Sequence, residues 1–123
     1  MLKNFSPSNP FAARVYDTII HIPPGLVATY GAVAAAMGAT RAARAVGTAL
    51  KKNPFAPRVP CHRVVRADGS FGGYAQGGAK KKRAMLVKEG VSLRGDRVEP
   101  RCILDGKQLR KLCTQQTSLR PSF

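Results

Sequence analysis

Acidic residues are scarce in this chain. There are 6 Asp and Glu against 21 Lys and Arg, a formal charge of +15 and a pI near 10.8 over 123 residues. A surface so short of carboxylates cannot repel polyanions. It is expected to hold phosphate backbones with an affinity that falls steeply with salt. Long apolar runs are also missing, and the N-terminus lacks a secretory core, so neither a membrane span nor a signal peptide is expected. No amphipathic stretch carries enough large apolar residues to lie in a bilayer surface. Cysteine is sparse: Cys61, Cys102 and Cys113 make an odd count without a CxxC pair. A disulfide framework or structural zinc site is therefore not expected. His21 and His62 are the only histidines, which leaves a metal centre little support; no metal or cofactor is expected. These readings predict a soluble, intracellular monomer without a membrane partner, cytoplasmic in a prokaryote and nuclear in a eukaryote.

Hydrophobic content of 44% and charged content of 22% fit one small globular domain. Residues 1–9 read as a loose leader. Asn9 and Pro10 open a helix whose Phe11, Val15, Ile19 and Ile22 share a face, and Pro23-Pro24-Gly25 ends it. His21, near that end, reads as a surface or partly packed side chain. Leu26-Val27-Ala28 is extended. Thr29 caps a second helix, Gly31 to Met37, and Thr40 a third, Arg41 to about Lys52, in a helix-turn-helix pattern. At about 100° per residue, Ala42, Val46, Ala49 and Leu50 gather on one side of the third helix. Arg44 lies opposite, flanked by Arg41, Thr48 and Lys51. A solvated charge is the default for Arg44, but the small residues beside it leave that face slim enough to enter a groove.

A proline-rich loop, 53–60, leads to Cys61. Val64-Val65 reads as a buried strand, Asp68-Gly69 as a turn, and 72–78 as a glycine-rich loop without the spacing of a nucleotide-binding motif. Ala79 to Glu89 reads as a helix with Met85 and Leu86 inward, Lys80 to Arg83 on a solvated face and Gly90 as its stop. Val91 to Val98 suggests a hairpin. The main domain is placed at 10–101. Residues 102–123 read as an extension in which Leu104, Leu109 and Leu112 permit one helix before a loose tail, with Cys102 and Cys113 as packing thiols.

Pro60-Cys61-His62-Arg63-Val64 carries the chemistry. A thiol is the strongest side-chain nucleophile near neutral pH, but only as its thiolate, which a positive neighbourhood favours. In an extended strand Cys61 and His62 face opposite ways, so either the chain bends or a water relays a proton between them.

Thr29-Tyr30-Gly31, Ala42-Ala43-Arg44-Ala45-Val46-Gly47, Asn53-Pro54, Pro60-Cys61-His62-Arg63-Val64-Val65, Gly73-Tyr74 and Glu89-Gly90 follow one another in an order and spacing that resemble the O6-alkylguanine-DNA alkyltransferases over roughly residues 11–93. The resemblance implies a mainly α, winged helix-turn-helix-like domain with a short β element. It also implies single-turnover transfer of an alkyl group from O6 of guanine in double-stranded DNA to Cys61. His62 would take the thiol proton through a water and Glu89 would orient the imidazole. Asn53 would brace the loop, and Tyr30 would press on the target phosphate and protonate the leaving guanine. Arg44 would fill the gap left by the flipped base, with Arg41, Ala42, Ala43, Gly47, Thr48, Lys51 and Arg63 also on the DNA. Val64, Gly73, Tyr74 and Ala75 would wall the pocket. Three departures stand out. Relatives often carry a further N-terminal domain. The Tyr74-to-Glu89 interval is one residue longer than usual. Ala75 replaces a side chain that is sometimes a hydroxyl. The alternative is an alkyltransferase-like protein that binds the lesion without transfer and flags it for another repair pathway; such proteins usually have tryptophan where Cys61 stands.

Overall fold

Pro10–Ile19 form α1, and its apolar face is the expected one: Val15, Ile19 and, just beyond, Ile22 are fully buried, while Phe11 is half-buried. The computed structural model describes residues 10–56, 58–72, 74 and 77–119, with side chains through 115. The expected leader with Asn9, the loop residues Gly73 and Ala75, and the end of the expected tail lie outside the described residues. His21 corrects the sequence reading. It is buried, because the chain turns back at the end of α1, with the His21 amide donating to the Thr18 carbonyl at 3.3 Å, and drives Ile22 into the core.

β1, Val27–Thr29, runs into α2, Tyr30–Ala36. The Thr29 hydroxyl accepts from the Ala32 amide at 3.0 Å, the expected cap. α3 is Ala43–Lys51 and begins two residues later than expected. A turn through 39–42, closed by the Ala42 amide on the Ala39 carbonyl at 2.8 Å, occupies the place given to its first residues. Ala42 then takes the cap position, without a side-chain bond, and Thr40 does not. Val46, Ala49 and Leu50 are buried as the wheel requires, and Arg44 points out. Tyr16 ties α1 to α3 by donating to the Ala49 carbonyl at 2.9 Å.

The central sheet has the order β2-β1-β5, all parallel, with β2 at Val64–Val65 and β5 at Ile103–Leu104. α4 spans Gly78–Lys88, and β3, Leu93–Arg94, pairs with β4, Arg97–Val98, as the expected hairpin. β5, Ile103–Leu104, corrects the reading of the last segment. Leu104 is not helical; it pairs beside Ala28 in β1 and closes the second side of the central strand.

α5, Gly106–Leu119, opens with a reciprocal cap: Gln108 N donates to Asp105 Oδ1 at 2.8 Å, and Asp105 N to Gln108 Oε1 at 2.9 Å. The helix packs along α2. The approach is tight at Gly106, where a Cβ would lie 2.7 Å from Ala35 Cβ. Gly106→Ala is therefore expected to force the helices apart and cost about 1–3 kcal/mol of stability by urea unfolding. Among the described residues no helix is long and apolar enough to cross a membrane.

Candidate active site

The loop before Cys61 is held by one buried side chain. Asn53, 3% exposed, donates from Nδ2 to the Val59 carbonyl at 2.9 Å and accepts the Phe55 amide on Oδ1 at 2.8 Å. Its two ends pin the start and finish of the loop, which delivers Pro60 and then Cys61. The chain does not continue extended. Cys61–Arg63 form a 3-10 turn, and the Cys61 amide donates to the Val59 carbonyl at 2.8 Å. The turn ends at Val64, whose pairing with Ala28 in β2 buries it completely. The Val64 side chain is thus part of the core, so only its backbone is left for the pocket wall expected of it.

The turn aims His62 and Arg63 at the C-terminal end of α4. His62 is 1% exposed, and its Nε2 lies 2.8 Å from Glu89 Oε2. Glu89 also holds Arg63 in a fork, with Arg63 Nε to Oε1 at 2.9 Å and Nη2 to Oε2 at 2.8 Å. Arg63 Nη1 donates to the Ile22 carbonyl at 2.8 Å. Arg63 is therefore turned into the protein rather than onto a DNA surface: both terminal nitrogens and Nε are engaged, and the side chain is 16% exposed. The extra residue before Glu89 does not prevent the His62–Glu89 contact. Burial pushes the Glu89 carboxyl up, but the bonds from Arg63 and His62 outweigh it and hold the group below the usual carboxylate range. Burial lowers His62 below an ordinary histidine, and the opposing pull of Glu89 does not restore it. A carboxylate only accepts, so Nε2 carries the imidazole hydrogen and Nδ1 the lone pair. Nδ1 is buried and has no hydrogen-bond partner among the described residues.

Cys61, 6% exposed, opens onto a cleft of about 770 Å³ that Tyr30 and Tyr74 also line. Ala43, Arg44, Gly47, Thr48 and Lys51 line it from α3, while Gly72 and Arg66 line it from the loop after β2. Arg41 and Ala42, expected with them, are not in its lining. Gly72 has φ +69°, a backbone conformation that favours glycine, and it lies beside the Tyr30 hydroxyl. The Tyr74 ring meets His62 edge-on at 6.3 Å. Burial pushes the Cys61 thiol up; the Asn53 side chain and the Lys82 charge pull against it. Burial also raises Tyr30, partly offset by Arg66.

Sequence reasoning missed two cations at this site. Arg66 follows β2 with no motif to mark it. Lys82, assigned to a solvated face, is 1% exposed; its signal was the helical spacing from Glu89. Cys113 is remote from the cleft chemistry. Its thiol approaches the Thr18 carbonyl at 3.6 Å and is pushed up to about 11, by burial first and then by Asp17.

Comparison with known proteins agrees with this geometry. The family profile described as 6-O-methylguanine DNA methyltransferase, DNA binding domain, matches residues 10–91. The chain is 46% identical over 92 residues to a methylated-DNA–protein-cysteine methyltransferase of Methanothermobacter thermautotrophicus, a match covering 75% of this chain and 51% of the relative. A crystal structure of Mycobacterium tuberculosis OGT in complex with DNA superposes with a TM-score of 0.65 at 46% identity, over 67% of this chain and 50% of that one. S. pombe Atl1, in complex with damaged DNA containing O6-carboxymethylguanine, superposes with a TM-score of 0.66 at 30% identity, over 77% of this chain and 94% of that one. The chain spans about half the length of the curated relatives it matches. With two thirds of its residues inside that profile, and the mainly α fold expected from its sequence, the chain belongs to the 6-O-methylguanine DNA methyltransferase family through its DNA-binding domain.

Proposed function

We propose that the chain repairs alkylated DNA inside the cell by moving an alkyl group from O6 of guanine to Cys61, once per molecule. The observation that carries this reading is the position of Cys61: a buried thiol open to a cleft rimmed by the basic face of α3, with His62 next to it on the same turn and bonded to Glu89 at the end of α4. The names of the relatives, methylated-DNA–protein-cysteine methyltransferases, and a neighbour's complex with DNA support it.

The target base is stacked inside a duplex, so it must be flipped into the cleft, at lower cost when its pairing is damaged. Arg44, exposed at the mouth, fills the gap it leaves. The thiol proton passes through a water to the Nδ1 lone pair of His62. The thiolate attacks the alkyl carbon, the S–C bond forms and the C–O6 bond breaks. Protonation of the departing guanine, aided by the Tyr30 hydroxyl, makes it a better leaving group. The product is a thioether, which no ordinary side chain cleaves, and the reaction stops there.

Incubation with an O6-methylguanine oligonucleotide, followed by intact mass analysis, tests the reading. One methyl replacing one hydrogen on the protein is the expected result. Tight binding with unchanged mass would instead favour lesion recognition alone, a reading that the names of the more similar relatives do not favour. Arg44→Ala is expected to slow repair of the lesion in duplex DNA by tenfold or more, about 1.4 kcal/mol, and to leave reaction with the free modified base nearly unchanged. Equal losses on both substrates would remove Arg44 from the flipping step.

A further inference from the structure

The repair reading gives Tyr30 two tasks, to meet the target phosphate and to protonate the departing guanine. A phenol has a single hydrogen to donate. The structure places a second donor beside it. Tyr30 stands between two walls of the cleft: a Cβ at Gly47 of α3 would lie 3.8 Å from its Cε1, and one at Gly72 would lie 3.4 Å from its hydroxyl. That same point at Gly72 is 3.5 Å from both Cγ and Nε of Arg66. The Arg66 stem therefore runs along the backbone at Gly72, and its guanidinium shares one edge of the cleft with the Tyr30 hydroxyl.

The turn that carries Arg66 fixes its backbone and leaves its side chain open. The Arg66 amide donates to the Ser70 carbonyl at 3.0 Å, and the Gly69 amide to the Arg66 carbonyl at 2.9 Å. Asp68 is the one carboxylate in that turn, and it is engaged elsewhere. Its Oδ1 accepts the Ser70 amide at 2.9 Å and the Ser70 hydroxyl at 2.6 Å, and its Oδ2 faces Arg97 Nη2 at 3.8 Å. Arg66 is exposed, and its side chain has no ion pair or hydrogen bond among the described residues. None of the described residues that line the cleft carries a carboxylate. A solvated charge is the ordinary reading of an exposed arginine. Its place argues for more: Arg44 and Lys51 line the cleft from α3, and Arg66 lines it from the loop after β2, with Tyr30 between. A base turned into this cleft leaves its own phosphates at the mouth. A guanidinium keeps its charge at any working pH and presents a planar fork that matches two phosphate oxygens. We propose that Arg66 binds a phosphate flanking the flipped nucleotide, so that the Tyr30 O–H is left for the guanine.

This assignment rests on the base flipping of the reading above and not on the transfer step. Binding is therefore read in Cys61→Ala, by fluorescence anisotropy on O6-methylguanine duplexes. Each duplex carries one neutral methylphosphonate linkage, either 5′ or 3′ to the lesion. At one of the two linkages the lost charge is expected to weaken binding about tenfold, as for a hydrogen bond to a charged group. The same linkage should cost less than about threefold once Arg66→Ala is added, because that contact is already gone. With Tyr30→Phe added instead, the tenfold loss should remain. Arg66 is exposed, so its truncation leaves the core intact. Equal losses with and without Arg66 overturn the proposal, and so does no loss at either linkage. A loss that disappears with Tyr30→Phe and not with Arg66→Ala overturns it in favour of Tyr30. The same coupling on an undamaged duplex would remove the flipped nucleotide from it. If the natural chain gains no methyl while the coupling to Arg66 is present, the transfer reading falls and the phosphate site stands. Methylation without the coupling is the converse.

Discussion

Cys61→Ala is expected to take methyl transfer below detection while leaving affinity for an O6-methylguanine duplex within about threefold, a difference under 1 kcal/mol. Intact mass and fluorescence anisotropy on the same oligonucleotide check the two halves. The split follows from where the binding energy comes from. A chain with 21 basic and 6 acidic residues draws most of its affinity from phosphates, and Arg44, Thr48 and Lys51 on α3 are untouched by the change. The sulfur itself is small. Its removal leaves a minor void at the edge of an existing cleft, with a cost of about 1 kcal/mol. Transfer has no substitute, because Cys102 is buried away from the cleft lining and Cys113 is held as the neutral thiol. Cys61→Ser should be equally dead, since an alcohol has no comparable anion for Asn53 to favour. Retained transfer in Cys61→Ala would place the acceptor elsewhere.

Much of this site was legible in the chain because its parts are local. The α3 wheel marked Val46, Ala49 and Leu50 for the core and turned Arg44 outward. Asn53 and Pro60 bracketed a loop whose closing bonds span only six residues. What escaped depends on long-range packing or on elements too short to have a period. β5 is two residues long, so Leu104 gave no sign that it pairs with β1. Arg63 looked like one more cation for DNA until the 3-10 turn rotated it onto Glu89, 26 residues away. Lys82 sits in a run of three lysines whose average property is exposure. Only by starting from Glu89 and stepping back seven residues does one find it on the buried stripe with Leu86.

Glu89→Gln is the second large effect, and it should strike rate and stability together. Glu89 completes the fork on Arg63 and carries the hydrogen bond to His62. Gln keeps the shape but offers one acceptor and no charge, so a guanidinium 16% exposed loses its anion. Breaking a fully buried pair costs about 3–5 kcal/mol; with Glu89 still 20% exposed, about 2–3 kcal/mol is expected here from urea midpoints at pH 7. Glu89 is held below its unfolded value, so its contribution is present above that value and lost as pH falls through the folded one. The stability gap between variant and natural chain should therefore close in acid, as protonated Glu89 comes to resemble Gln; a gap that persists at pH 2 would mean that shape, not charge, holds the turn. Transfer should fall by about 10²–10⁴, the range of a general base. That deficit should shrink at high pH, because the thiolate then forms without His62 as its base. The stability gap should persist there, because it comes from the fork on Arg63, which needs only the charged carboxylate. The two effects of one substitution are thus separable by pH alone.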